Sequence, residues 1–224
     1  MLGSVINFVA IIIGGITGIL FKDSFPKKIQ NTVMQGLSLA VILIGLQMAL
    51  LTENILIVIF SLVIGGVIGE SIDIEKNLER VGKMLKSSFQ QENDLFVQGF
   101  VQASLVFCVG SMAIMGAIQD GLNNDPSILI NKSLLDGVAS VAFSATFGIG
   151  VLFSAIPVLL YQGGLTLLAS FVEQYLTDPM VNEMTATGGL LIMAIGLNIM
   201  GVSKIKVANL LPALVIAIIG VAVI

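Results

Sequence analysis

The chain has 224 residues, 56% of them hydrophobic and only 11% charged, with a mean hydropathy of +1.05 and a formal net charge of −4. No soluble domain of this length needs so much apolar surface, and no nucleic-acid partner is expected of it. The absence of histidine removes the commonest general base and metal ligand, while the single cysteine, Cys108, excludes an intramolecular disulfide framework and any multi-thiolate metal site.

The charged residues are segregated, leaving charge-free runs at 1–21, 29–52, 54–69, 95–119, 137–172, 184–203 and 207–224. A hydrocarbon core about 30 Å thick asks for roughly 17–25 helical residues, so most runs fit one span. Barrel strands are shorter and alternate polar with apolar, whereas these runs are apolar on all sides. The run 1–21 lacks a basic segment ahead of its apolar stretch, so it reads as a retained first helix rather than a secretory signal. Run 54–69 is short and reaches across only by including flanking residues or thinning the bilayer. The soluble-looking stretch 71–90 follows. Ile74, Leu78, Val81, Leu85 and Phe89 recur at helical spacing, with charged residues at the other positions and Ser71 as the expected N-cap. Such a helix most simply lies on the cytoplasmic membrane surface, apolar side down; packing against the bundle or a second subunit is the alternative. Gln90 to Asp94 read as a solvated loop. The run 137–172 is too long for one span and splits in two near Gly148–Pro157, which brings the count to about eight.

Three elements of the first third recur in order in the last. Ile44-Gly45-Leu46-Gln47-Met48 returns as Ile195-Gly196-Leu197-Asn198-Ile199, Leu62-Val63-Ile64 as Leu214-Val215-Ile216, and Gly14-Gly15-Ile16-Thr17 as Gly163-Gly164-Leu165-Thr166, at offsets of 151, 152 and 149 residues. With two spans between the copies, the second copy is inserted upside down, as in many transporters. The fold expected is an all-α polytopic membrane protein of about eight spans: a first three-span repeat at 1–70, the amphipathic helix and loop at 71–94, spans 4 and 5 at 95–155, and a second repeat at 156–224. Eight spans put nine of the ten Lys and Arg residues on one side, leaving only Lys132 opposite. By the positive-inside rule that side is the cytoplasm and both termini are extracytoplasmic.

Polar groups inside spans are the functional candidates, because each needs a partner or a wet cavity. Span 4 carries Gly110, Ala113 and Ala117 as a smooth face for close helix contact, then Gln119-Asp120-Gly121. On span 5, Asp136, Ser140 and Ser144 recur every four residues, a stripe that suits a cation or a hydrogen-bonding solute as well as it suits interhelical hydrogen bonds. Asp120 and Asp136 fall at the outer ends of their spans, where solvated rim carboxylates would look the same as transport residues. Gln162 precedes Gly163-Gly164, where a broken helix would form a site and a closely approaching neighbour would be the structural reading. Gln47 and Asn198 occupy matching positions of the two repeats, as pathway lining or as helix ties; Asn7 and Asn209 pose the same choice more weakly. The ten Met residues read as lipid-facing or core filler. No phosphate-binding loop, nucleophile elbow or metal-ligand spacing is present, so neither an enzyme nor a cofactor is expected. A two-aspartate protease built on Asp120 and Asp136 lacks its motif context.

Gly110-Ser111-Met112-Ala113-Ile114, Gln119-Asp120-Gly121, Leu135-Asp136-Gly137, Gly148-Ile149-Gly150-Val151, Phe153-Ser154-Ala155-Ile156 and Tyr161-Gln162-Gly163 together resemble a bacterial membrane family known as domain of unknown function 554 (YdfK/YqgA type). Asn182-Glu183, Gly188-Gly189 and Asn209-Leu210-Leu211-Pro212-Ala213-Leu214 extend the resemblance into the last two spans. It implies a bacterial inner-membrane protein, commonly described as a candidate transporter, and supplies no substrate or catalytic residues. The function expected is a small secondary transporter or channel for a small solute or ion. A bundle this small has little room to enclose a pathway between moving repeats, so a homodimer in the lipid bilayer is expected. The alternative is a non-transporting membrane scaffold or sensor that docks through the helix at 71–90.

Overall fold

The computed structural model describes residues 1–22, 27–88, 95–172 and 175–223, and every regular element among them is helical. The helices are α1 (Leu2–Lys22), α2 (Lys27–Ala49), α3 (Ile55–Ile72), α4 (Ile74–Ser88), α5 (Leu95–Cys108), α6 (Ser111–Asn123), α7 (Ser127–Phe147), α8 (Gly150–Phe153), α9 (Ala155–Leu167), α10 (Ala169–Val172), α11 (Asp178–Ile199) and α12 (Pro212–Val223), with a 3-10 turn at Val207–Leu210. Among the described residues six stretches are long and apolar enough to cross a bilayer: Leu2–Phe21, Asn31–Ala49, Ile55–Ile72, Ser127–Phe147, Gly150–Leu167 and Asp178–Ile199. The α5–α6 pair makes a seventh when counted as one bent span, and the apolar stretch Val207–Val223 is shorter. The chain is a multi-pass helical membrane protein.

The helices are built inside out relative to those of a soluble bundle. On α7 the inward face carries Leu129, Lys132, Ser133, Asp136, Ser140, Phe143, Ser144 and Phe147, at alternating three- and four-residue steps. Its outward face holds Leu134 and Val138, 67% and 73% exposed. On α1, Gly3, Ser4, Asn7, Ile11, Gly14 and Gly18 turn inward while Val9, Ile13, Ile16 and Leu20 face out. Apolar surface on this scale is untenable in water and costs nothing against lipid tails, so small and polar residues are left to make the helix contacts.

Glycines set the breaks. Gly110 has φ +136°, a conformation that a side chain strongly disfavours, and the chain bends by 61° between α5 and α6. In sequence Gly110 reads as part of a smooth contact face on one continuous span; the helix instead breaks there. Gly148, with φ 79°, ends α7 and divides the long apolar run where the sequence placed the split. Gly163 and Gly164, in contrast, lie within the uninterrupted α9. They neither break it nor admit a tight neighbour: a methyl at Gly164 would meet nothing within 4 Å, and one at Gly163 only the end of the Met1 side chain at 3.6 Å. Ser71 does not cap a helix either. It belongs to α3, where its hydroxyl donates to the Val67 carbonyl at 2.7 Å, and the joint to α4 is Asp73 at φ 55°. Along α4, Gly82 is buried against Val97 and Phe100 of α5, so this part of the amphipathic helix packs on a helix of the bundle. Phe89 and the Gln90–Asp94 loop lie outside the described residues.

Two compact units emerge. The first comprises Met1–Met34, Glu79–Cys108 and Met112–Gln174; the second comprises Gln35–Leu78, Val109–Ser111 and Tyr175–Ile224. In the first, α1 runs parallel to α7, with Gly3 against Leu129, Gly14 against the Gly137 carbonyl and Gly18 against the Val141 carbonyl. Gly150 lies on Phe96, and Gly121 on Thr166 and Ala169, so α5–α6 runs parallel to α8–α9. The two pairs are mutually antiparallel, as the Gly15–Leu152 and Ser4–Thr166 contacts require. In the second unit α2 crosses α11 antiparallel, Gly45 meeting Gly189 and Gly196 meeting Ser38 and Ile42. There α3 likewise opposes α12, with Gly65 on Ala213 and Ile57 on Gly220.

Candidate functional site

The polar residues of the first unit converge on one buried column between α1, α7 and α9. Each helix contributes through its own inward face: Ser4 and Asn7 from α1, Lys132, Asp136, Ser140 and Ser144 from α7, Gln162 and Thr166 from α9. The Asn7 amide is the centre. Its Nδ2 donates to Asp136 Oδ2 at 2.9 Å and to Gln162 Oε1 at 3.1 Å. Lys132 Nζ donates to the same Asp136 oxygen at 2.5 Å, an i,i+4 ion pair whose members are 5% and 7% exposed. One turn from Asn7, the Ser4 and Thr166 hydroxyls lie 3.3 Å apart, and Thr166 donates to the Gln162 carbonyl at 2.9 Å. Asp120, on α6, accepts the Gly3 backbone N–H at 3.0 Å and faces the Met1 amino group at 2.8 Å.

Two groups at the centre have no partner. Asn7 Oδ1 and Gln162 Nε2 are buried without a hydrogen bond, as is Ser144 Oγ two turns along α7. The amide orientations follow from the charge beside them. Reversing Asn7 would press its oxygen against the Asp136 carboxylate and Gln162 Oε1, so its nitrogen must face both and its oxygen must turn away. Gln162 Oε1 is then fixed by Asn7, which leaves Nε2 turned away in the same manner. An unmet buried acceptor and donor each cost about 1–3 kcal/mol. Structures seldom retain such groups without a use.

Of the residues singled out by sequence, Asp136 and Gln162 meet through Asn7. Ser140 donates to the Ile11 carbonyl at 2.9 Å, a tie between α7 and α1, and Ser144 is buried beneath Gly15 and Gly18. Asp120 and Asp136 are buried carboxylates rather than solvated rim groups. Gln47 and Asn198 belong to the second unit and are not part of this cluster. Gln47 is exposed. Asn198 folds its own loop, donating to the Ile205 carbonyl at 2.7 Å and accepting from Ser203 Oγ and the Ile205 N–H. Lys132 was missed, its position having been read only as an exception to the charge rule. The available signal was its four-residue spacing from Asp136 in a segment otherwise uncharged.

The second unit has two polar knots of its own. Buried Glu183 accepts the Thr52 hydroxyl at 2.7 Å and the N–H groups of Glu53 and Asn54 at 2.7 and 2.9 Å, which fixes the turn into α3. Asn209 accepts the Glu75 N–H at 2.7 Å and donates to Glu70 at 2.6 Å, while Glu75 accepts the Ala208 N–H at 2.8 Å. Lys206 pairs with Glu70, and that contact holds its ammonium pKa above the ordinary lysine range. Both knots are saturated loop ties. Among the described residues no group of three or more His, Cys, Asp or Glu side chains could hold a metal ion.

Residues 2–222 match the model of a family described as "Protein of unknown function (DUF554)". The chain is 33% identical over 222 residues to the "Uncharacterized membrane protein YdfK" of Bacillus subtilis (strain 168), covering 96% of this chain and 93% of that protein. It is 32% identical over 222 residues to the "Uncharacterized protein YqgA" of Escherichia coli (strain K12), covering 97% and 94% respectively. No solved structure matches it.

Proposed function

The chain belongs to the DUF554 family, and we propose that it is a small secondary transporter or channel moving a small solute or ion across the bacterial inner membrane. One observation carries this reading: an ion pair and two amides are buried together between apolar helices, with one acceptor and one donor left unmet. Polar groups buried in this way among apolar helices are expensive and are retained chiefly where something polar binds or passes. The broken α5–α6 span fits the same reading, since interrupted helices line sites in many transporters.

The eight-span inverted repeat is part of the proposal. The 151-residue offset maps Ser38 onto Gly189 and Gly45 onto Gly196. Under it, the contact of Ser38 with Gly196 and that of Gly45 with Gly189 exchange, as a twofold axis perpendicular to an antiparallel pair requires. In the first unit, α1 would exchange with α8–α9 and α7 with α5–α6, making spans 4 and 5 counterparts rather than simple insertions. The helix directions within each unit fit eight alternating crossings with both termini extracytoplasmic, and a homodimer is the assembly we assign. The test is a flux panel in proteoliposomes covering small neutral solutes, monovalent cations and anions. At least one class should enter faster than into empty liposomes, and Asp136→Asn should abolish that flux per folded molecule. Flux at the empty-liposome rate for every class would overturn the proposal.

A further inference from the structure

The chemistry of the cluster also selects what it would hold. Building on the transport reading of the Asn7–Asp136–Gln162 cluster, we propose that it binds a small neutral solute presenting an acceptor and a donor side by side, as a primary amide does, and not a bare cation. Charge is the first argument. Asp136 already has its counter-charge in Lys132 Nζ at 2.5 Å. The site therefore has no net negative charge with which to draw in a cation.

The donor set is the second argument. Hard cations such as Ca²⁺ take six or more oxygens, and even Mg²⁺ is held by carboxylates and waters. Here Asp136 Oδ2 accepts from Lys132 and Asn7, and Gln162 Oε1 accepts from Asn7. The fully buried unmet atoms at the centre are one oxygen, Asn7 Oδ1, and one N–H group, Gln162 Nε2. An unmet N–H repels a cation. Ser144 Oγ, a further unmet oxygen on α7, lies eight residues beyond Asp136, about 12 Å along the helix axis at ~1.5 Å per residue. It is too far to complete a shell.

An acceptor and a donor on two amides that are bonded to each other make a two-point template. A solute N–H would donate to Asn7 Oδ1 while its carbonyl accepts from Gln162 Nε2. A site built in this way also rejects analogues that leave its own groups unpaired.

The experiment uses the full chain in detergent micelles, with the melting temperature read against acetamide, N,N-dimethylacetamide, NaCl, KCl and MgCl₂. Acetamide should raise Tm saturably, by about 3 °C at tenfold its half-saturating concentration. N,N-dimethylacetamide, which keeps the carbonyl and lacks the N–H, should need at least tenfold more for any effect. Gln162→Met should abolish the acetamide response. Gly164→Ala, on the same helix and in open space, should retain it and so reports on folding of α9. Stabilisation by a cation and not by acetamide would overturn the solute class while leaving the transport reading intact. No response to acetamide or to any salt would also overturn it. The flux panel then decides separately whether transport itself stands.

Discussion

Breaking the Lys132–Asp136 pair is the perturbation whose size the structure fixes best. The partners are 5% and 7% exposed, one turn apart on α7, and Asp136 has one further donor in Asn7. Removing one member of a buried ion pair leaves an uncompensated charge and costs about 3–5 kcal/mol, whereas replacing both with apolar groups of similar volume is close to neutral. Lys132→Met and Asp136→Leu should therefore each destabilise the protein by about 3 kcal/mol or more, roughly a hundredfold or greater loss in the folding constant. The double variant should recover at least half of the summed cost, limited by the Asn7 amide it strands. The assay is SDS titration in mixed micelles followed by far-ultraviolet circular dichroism, with all four proteins forming a double-mutant cycle. If each single variant costs less than about 1 kcal/mol and the two add without coupling, the pair is hydrated and the buried-cluster account is wrong.

A methyl at Gly18 would collide with the Val141 carbonyl, so Gly18→Ala should cost about 1–3 kcal/mol in the same titration, whereas Gly164→Ala, in open space within a helix, should be neutral or stabilise by up to about 1 kcal/mol. Asp125, in the turn before α7, accepts from the Ser127 hydroxyl and N–H and from Gln119, which hold its pKa below the ordinary aspartate value. The depressed folded value means that its contribution is present above the ordinary pKa and lost as pH falls through the folded one; Ser127→Ala should move its titration upward by NMR. In a Cys108→Ser background, Lys204→Cys should resist an impermeant thiol reagent in intact cells whose outer membrane has been permeabilised, while Asp178→Cys should react. The opposite pattern would reverse the assigned topology.

Span-forming character was legible because it is additive. Each of the runs 1–21, 29–52 and 54–69 carries its own apolar length, and Gly148 breaks the chain where the long run had to divide. The break at Gly110 was not legible, since glycine at a smooth interface and glycine at positive φ read identically in sequence. Gly14 and Gly18 illustrate the reverse case: their four-residue spacing on one face of α1 is itself the signal of a close crossing with α7. Asp136 and Gln162 were found because polar residues in apolar runs stand out. Asn7 and Lys132, which complete the cluster, lie near the ends of their helices, where a polar residue is ordinarily explained by the interface. Only the packing of α1 between α7 and α9 turns them into buried partners.

The most direct test of the transport account is whether water-soluble chemistry reaches the buried column. Ser144 suits it, because its hydroxyl is fully buried and makes no hydrogen bond that a thiol would lose. In the Cys108→Ser background, Ser144→Cys should be modified by a small impermeant methanethiosulfonate reagent in proteoliposomes, at a rate far above that of a cysteine placed at Phe143, which is equally buried within an aromatic cluster. A Ser144→Cys thiol that stays unmodified from both faces, in a protein whose exposed Lys204→Cys site labels fully and whose Tm is unchanged, would contradict the account and leave a sealed helix bundle in its place.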